Sequence, residues 1–239
     1  MDRISAFRSE LQSACRTSSR SEDSVRIVAV TKTHPIRAME VALAAGIYDL
    51  GENRVQEAVP KIQQIRSKGT RTPEGRIPQF HLIGHLQSNK AKQVIQAEVD
   101  LVHSVDSEHL AQELNRRAEA AGRIQPILLQ VSVTGEETKS GLEPNSLESC
   151  LETILSSLTS LRVDGFMTMA PFFEDGELAR PIFAQLRELS EKMTQTFHRS
   201  PQFPNTHLSM GMTNDWRPAV EEGATLIRIG SAFFGERTN

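Results

Sequence analysis

The sequence predicts an α/β fold: a single (β/α)8 TIM-type barrel with an added N-terminal helix. Three observations lead there. Short β-prone runs alternate eight times with stretches of helical periodicity, the pattern of a parallel sheet. Eight such units in 239 residues fit the length of a closed barrel. No Gly-x-Gly-x-x-Gly follows the first strand, which argues against the open doubly wound sheet that alternation alone would permit. Neither a composition shift nor a low-complexity segment divides the chain, so residues 1–239 read as one domain.

The elements follow in order. Ile4, Phe7, Leu11 and Ala14 recur at helical spacing and open the chain with an amphipathic helix. Residues 17–23 form a polar loop. Residues 27–30 are four β-prone residues running into Lys32, a strand buried on both faces. Pro35 stands where a helix begins, Ile36, Met39 and Leu43 give it an apolar face, and Gly46 stops it. Tyr48-Asp49-Leu50 makes a short second strand, followed by Gly51-Glu52-Asn53. Residues 55–65 are helical, with Pro60 marking a kink or the true start. Residues 67–78, rich in Gly, Pro, Thr and Arg, read as the most mobile loop. The other strands fall at 80–83, 101–103, 127–133, 163–167, 207–209 and 226–229. Helices lie between them at 89–97, from a Ser107 cap to Gly122, and at 147–158, 178–197 and 216–222. Residues 134–145 form a polar loop.

Composition excludes several classes. The net charge is −3 and acids interleave with bases, so no surface for nucleic acid announces itself. No apolar run approaches the roughly 20 residues that span a bilayer, and residues 1–20 lack the apolar core of a signal peptide. Only Cys15 and Cys150 occur, without a Cys-x-x-Cys, which fits a reducing cytoplasm better than a disulfide framework.

A barrel places its chemistry at the C-terminal strand ends, with phosphate often held after strands seven and eight. Lys32 ends the first strand. Burial disfavours its ammonium form and would free the amine as a nucleophile, the preparation of a Schiff-base lysine; the alternative is that it leaves the sheet for water. Asn53 follows the second strand and either faces the site or caps the next helix. Ser209, Met210 and Gly211 end the seventh. Arg228 lies within the eighth, where a buried guanidinium needs a partner, and Gly230 and Ser231 follow as an anion cradle or a plain turn. A reactive amine facing a phosphate site suits one cofactor, pyridoxal 5′-phosphate (PLP), with an aldehyde at one end and a phosphate at the other. Asp215 and Trp216 either line the site or begin a helix. His81 and His85 are four apart, but they cross a strand end and no Glu follows His81, so no metal site is expected.

Ordered motifs then run along most of the chain: Ala-Val-Thr-Lys at 29–32, Leu-Gly-Glu-Asn-Arg-Val-Gln-Glu at 50–57 and His-Leu-Ile-Gly-His-Leu-Gln-Ser-Asn-Lys at 81–90. Gly-Phe-Met-Thr-Met-Ala-Pro follows at 165–171, Leu-Ser-Met-Gly-Met-Thr-Asn-Asp at 208–215 and Ile-Arg-Ile-Gly-Ser-Ala-Phe-Phe-Gly at 227–235. In these the chain resembles the pyridoxal phosphate homeostasis protein family. One departure is Thr213, where the family usually has Ser; it keeps the hydroxyl. The resemblance implies a fold-type III barrel, similar to the barrel domain of alanine racemase. It implies that Lys32 holds PLP as an internal aldimine and that Arg228 faces the pyridine nitrogen. Ser209, with backbone around Gly230 and Ser231, would hold the phosphate, and Asn53 would lie beside the ring. Racemase-like enzymes add a β domain carrying a second acid/base group. Here the chain stops at Asn239 and its one tyrosine, Tyr48, precedes the second strand. The expectation is therefore a non-catalytic, monomeric, cytoplasmic protein of vitamin B6 and amino-acid homeostasis, with apo PLP enzymes as candidate partners. A racemase-like enzyme is the alternative, and a cofactor-free Schiff-base aldolase a third reading.

Overall fold

Residues 2–134 and 140–235 are described by the structure, a computed structural model. Eight strands pair in chain order, all in parallel: β1 (Arg26–Val30), β2 (Asp49–Glu52), β3 (Gln79–Leu82), β4 (Leu101–Val105), β5 (Gln125–Gln130), β6 (Leu161–Met167), β7 (His207–Met212) and β8 (Leu226–Ile229). β8 closes on β1, with Arg228 beside Val28, so no strand edge is left to solvent. The expected (β/α)8 barrel is thus what the chain forms. Around it lie α1 (Asp2–Thr17), α2 (Arg37–Ala44), α3 (Val55–Ser67), α4 (Ala91–Gln96), α5 (Glu108–Ala120), α6 (Leu147–Ser157), α7 (Arg180–Phe197), α8 (Trp216–Glu221) and α9 (Ser231–Phe234).

Strand alternation builds two cores. Outward residues such as Ile27 and Ala29 join the helix faces in one large cluster. Inward residues Val28, Leu101, Leu128, Met167 and Leu226 form a smaller cluster inside the barrel. Each large apolar side chain so buried contributes about 1.5–3 kcal/mol. α5 shows how local signals set an element. The Ser107 hydroxyl accepts from the Leu110 amide at 3.3 Å, and Leu110, Ala111, Leu114 and Ala118 are buried on one face. The turn after the helix places Gly122 at φ +63°. The added helix α1 buries Ile4, Phe7 and Leu11, and the Phe7 ring lies 4.8 Å from that of Trp216 and 5.2 Å from that of Phe233.

Several boundaries move from expectation for physical reasons. β2 runs through Gly51 and Glu52, because Thr31 N–H donates to the Gly51 carbonyl at 3.0 Å and Ile83 N–H to that of Glu52 at 2.9 Å. α3 begins at Val55 and continues past Pro60; burial of Val55, Ala58, Ile62 and Ile65 on one side outweighs the missing proline N–H. α7 begins at Arg180, with Pro181 in its first turn. The short α9 after β8 had no counterpart in the periodicity. The loop at 67–78 is pinned: Thr72 is buried, its hydroxyl accepts from the Arg76 amide at 3.1 Å, and the Arg76 guanidinium sits 4.9 Å from the Tyr48 ring centre. Of the polar loop at 134–145, residues 135–139 lie outside the described residues. No helix among the described residues is long and apolar enough to cross a membrane.

Candidate functional site

A cavity of ≈ 760 Å³ opens at the C-terminal ends of the strands, and Lys32, Asn53, Arg228, Gly230 and Ser231 all line it. Lys32, Asn53, Arg228 and Gly230 arrive there by the period-two rule of a strand, and Ser231 opens α9 just after them. On β1, Val28 and Val30 point inward and Lys32 continues that face into the cavity. Thr31 points the other way. Its hydroxyl donates to Glu52 Oε1 at 2.7 Å, and Lys61 Nζ clamps both, at 3.0 Å from the Thr31 carbonyl and 2.7 Å from Glu52 Oε1. Burial raises the Glu52 carboxyl pKa, against the lowering by Lys61 and Thr31. Just beyond Lys32 the chain turns sharply. Thr33 adopts φ +64°, and its amide donates to Glu57 Oε2 at 2.9 Å. A β-branched residue in the left-handed region costs roughly 1–3 kcal/mol. The lysine is therefore held from behind by a buried clamp and from in front by a strained turn.

Asn53 does not cap a helix. The residue at the N-cap of α3 is Arg54, and no side-chain cap bond forms there. Asn53 instead reaches the cavity, at a point where a Cβ on Gly84 would come within 2.3 Å of the Asn53 carbonyl. Glycine at 84 is what lets β3 and the end of β2 approach so closely.

Arg228 is buried inside the barrel. Its Nη1 donates to Ser209 Oγ at 2.7 Å and its Nη2 to the Thr168 carbonyl at 2.9 Å. Burial pushes the guanidinium down to about 10, and Asp215 pulls the other way. Asp215 also lines the cavity, and its own carboxyl is raised by burial; Trp216 packs away from the cavity on α1. Beyond β7 and β8, the Ser231 hydroxyl donates to that of Thr213 at 3.2 Å, placing two hydroxyls together at the mouth. The first amides of α9 have no intrahelical acceptor and add donors beside them. Met169 and Phe172 form an exposed apolar rim, tied to the β7 side by the Asn214 amide, which donates to the Phe173 carbonyl at 2.6 Å.

Ser209 is the one expected site residue that stands apart. Fully buried, it lies below the cavity lining, with its hydroxyl on Arg228 and 2.8 Å from His103 Nδ1. Its place is under the guanidinium, because β7 turns Ser209 inward one layer deeper than Thr213. His81 and His85 part company as well. His81 is buried and contacts Asp49 and His103, whereas His85 is exposed and pairs with Asp106 Oδ2 at 3.0 Å. Thr213 was visible in the sequence only as a departure within a motif. No period-two count finds it, because β7 shifts register between Ser209 and Met212 and Gly211, at φ +89°, faces α8; Met212 and Thr213 reach the cavity past that irregularity. Counting back in steps of two from the cavity-lining Asn53 and Ile83 does place Asp49 and His81 inside the barrel.

His103 has a consequence for stability. Burial holds its imidazole well below the usual value of 6.5, and the Arg228 and Arg26 guanidiniums add repulsion to a proton there. His207 is lowered too, first by burial and by Arg26, with Asp164 opposing. The folded values lie below the unfolded ones, so the stability these groups contribute is complete above about pH 6.5 and is lost as the pH falls toward the folded values. Urea unfolding is expected to show stability declining below that pH by up to about 1.4 kcal/mol per pH unit for each such histidine. His103→Gln should flatten the slope, and an unaltered slope would assign the titration to other groups.

Residues 3–238 match the family model for the alanine racemase N-terminal domain. Fold and site together define a barrel of that class. Over 236 residues the chain is 37% identical to the pyridoxal phosphate homeostasis protein of Aquifex aeolicus, covering 99% of this chain and 97% of that one. It is 32% identical to the Escherichia coli protein of the same name, covering 98% and 95%. The chain belongs to the pyridoxal phosphate homeostasis protein family. PipY of Synechococcus elongatus, solved with PLP bound, superposes with a TM-score of 0.79 at 37% identity, covering 95% of this chain and all of that one. Alanine racemase of Clostridium difficile shares the fold alone, with a TM-score of 0.72 at 14% identity over 58% of its length.

Proposed function

We propose that this chain binds PLP in the strand-end cavity, attached covalently through Lys32, and keeps it available instead of turning over a substrate. The observation that carries the reading is convergence. Lys32, Arg228 and the hydroxyl pair Thr213–Ser231 reach one cavity from opposite sides of the barrel. The volume suits a small cofactor, and the donor set suits an aldehyde, a ring nitrogen and a phosphate in turn. PipY, a solved relative, holds PLP. When bound, the group supplies an electrophilic aldehyde on an electron-withdrawing ring.

The chain's own residues then have distinct tasks. Lys32 would anchor the aldehyde carbon, aimed by the clamp at Thr31 and the turn at Thr33. Arg228 presents its remaining N–H groups to the ring nitrogen, and its charge disfavours a proton there, which weakens the ring as an electron sink. Thr213, Ser231 and the backbone at Gly230 and Ser231 would hold the phosphate. Asn53, on the cavity wall, would lie beside the ring. Tyr48, the one tyrosine, is at the opposite end of the barrel, in a second cavity of ≈ 560 Å³ lined also by Arg26 and Arg76. It is therefore not positioned to serve as a second acid or base over the ring. Cytoplasmic residence, a monomeric state and apo PLP enzymes as recipients belong to the same reading; both cysteines are buried and free, which suits a reducing compartment.

Titration of the purified protein with PLP should produce a visible absorbance band, and borohydride reduction followed by peptide mass analysis should place the label on Lys32. Single L-amino acids incubated with the loaded protein in deuterated water should keep their configuration and their Cα proton. Repeated exchange or racemisation would make the chain an enzyme and overturn the reading.

A further inference from the structure

Beneath the cavity a single line of hydrogen bonds crosses the barrel. Arg228 Nη1 meets Ser209 Oγ at 2.7 Å, and Ser209 Oγ meets His103 Nδ1 at 2.8 Å. His103 Nε2 meets His81 Nδ1 at 2.8 Å, and His81 Nε2 meets Asp49 Oδ1 at 2.9 Å. Asp49 Oδ2 then accepts from Arg26 Nε at 2.9 Å. From Arg228 to Asp49 every member is buried, with at most 4% of its surface exposed. Arg26 is partly exposed and lines the second cavity on the far side of the barrel. The line therefore runs from one end of the barrel to the other.

The two ends fix the direction of every proton. A guanidinium can only donate, so Ser209 Oγ accepts from Arg228. The Asp49 carboxylate, held ionised by its hydrogen bonds from His81 and Arg26 against the opposing effect of burial, can only accept, so His81 Nε2 carries a hydrogen. One arrangement then satisfies every group. Ser209 donates to His103 Nδ1, His103 Nε2–H donates to His81 Nδ1, and His81 Nε2–H donates to Asp49. Both imidazoles are neutral and both carry their hydrogen on Nε2. The competing arrangement, with a charged His81, puts the hydrogen of His103 on Nδ1. Ser209 Oγ would then accept twice, and its own hydrogen would find no acceptor among the described residues. The placement of His103, fully buried and near the Arg228 and Arg26 guanidiniums, disfavours a charge on it as well.

We propose that Asp49, His81, His103 and Ser209 are positioning residues for Arg228: a one-directional chain of hydrogen bonds, set by Asp49 at the far end of the barrel, that fixes how the guanidinium meets the ligand in the cavity. Which ligand Arg228 meets rests on the PLP reading above; the chain itself does not. It fixes Arg228 because Ser209, with its hydrogen committed to His103, offers the guanidinium only a lone pair. Nη1 is drawn there, Nη2 is drawn to the Thr168 carbonyl, and the remaining N–H groups are left to the cavity. Reversal of the chain at Asp49 would release the Ser209 hydrogen and set His103 as a second donor on the same oxygen, in competition with Nη1, so the definition is lost from the other side of the molecule.

The test separates the two layers. In the cofactor-free 15N-labelled protein, long-range 1H–15N correlations of the imidazoles should show the Nε2–H form for both His81 and His103 from about pH 6.5 to 8. An Nδ1–H form or an imidazolium at His103 overturns the proposal whatever the cofactor does. Asp49→Asn exchanges the obligate acceptor for a group that can also donate. It should disturb the His103 pattern, displace the visible band of the PLP-loaded protein and weaken PLP binding on the order of tenfold. Glu74→Gln, beside the same far cavity but outside the chain, should change none of these. If Asp49→Asn leaves the His103 pattern, the band and the affinity as they were, the chain does not set Arg228. Should that variant not fold, the tautomers of the unaltered protein still decide the ordering. If the tautomers stand but PLP does not bind, the failure belongs to the ligand reading.

Discussion

Lys32→Ala is expected to abolish the visible band on addition of PLP and to leave no borohydride-reducible label on the protein. The reason is geometric. Lys32 is the continuation of the inward face of β1, with its neighbours Thr31 and Thr33 pinned to Glu52 and Glu57, and it lines the cavity beside Arg228. Removing it takes away the covalent anchor and leaves only the reversible contacts to ring and phosphate. The fold should be unaffected, because Lys32 is half-buried at a cavity wall and not part of either apolar cluster; an unchanged circular dichroism spectrum and Tm would show that the loss is local. A label that persists at another lysine would remove Lys32 from its assigned role.

Arg228→Ala is the second large effect, and it should appear in binding more than in folding. The substitution removes charge-assisted donors, each worth about 1.5–3 kcal/mol, so PLP affinity is expected to fall at least about tenfold, with a displaced band. Stability should respond less, since two effects oppose each other. The Ser209 hydroxyl and the Thr168 carbonyl lose their partner, which costs free energy. Yet burial has pushed the guanidinium down to about 10, so keeping it charged at neutral pH is itself a standing cost that the variant escapes. Arg228→Lys should not restore the native spectrum, because an ammonium cannot reproduce the planar fork that spans Ser209 and Thr168. An unchanged affinity and spectrum in Arg228→Ala would refute the assignment.

Much of this architecture can be read in the chain. The run at 27–30 is continuously apolar and that at 226–229 is broken only by Arg228, because strands inside a ring of helices are buried on both faces, and that signal survives without any contact information. The strand-end rule then brings Lys32, Asn53, Arg228, Gly230 and Ser231 to one place. What could not be read is depth. Ser209 lies inside β7 and Thr213 just past its end, and the register shift between Ser209 and Met212 sends one to the layer beneath the cavity and the other to its lining, which strand alternation alone does not reveal. The role of His103 was hidden for the same reason. A histidine inside a strand acquires meaning only when neighbouring strands bring His81 and Ser209 against it, at separations of 22 and 106 residues. The short α9 was missed because four residues cannot display a helical period.

The turn at Thr33 bears on how fast cargo can change hands. A free lysine side chain forfeits on the order of 2 kcal/mol of rotamer freedom when it is immobilised. At this site much of the backbone ordering is already complete before a ligand arrives, because Thr33 sits at φ +64° with its amide on Glu57. Capture then requires little rearrangement of the chain, and so does departure. A reservoir is more useful the quicker it fills and empties at a given affinity, and a pre-bent attachment point favours rapid exchange over a slow, deep grip.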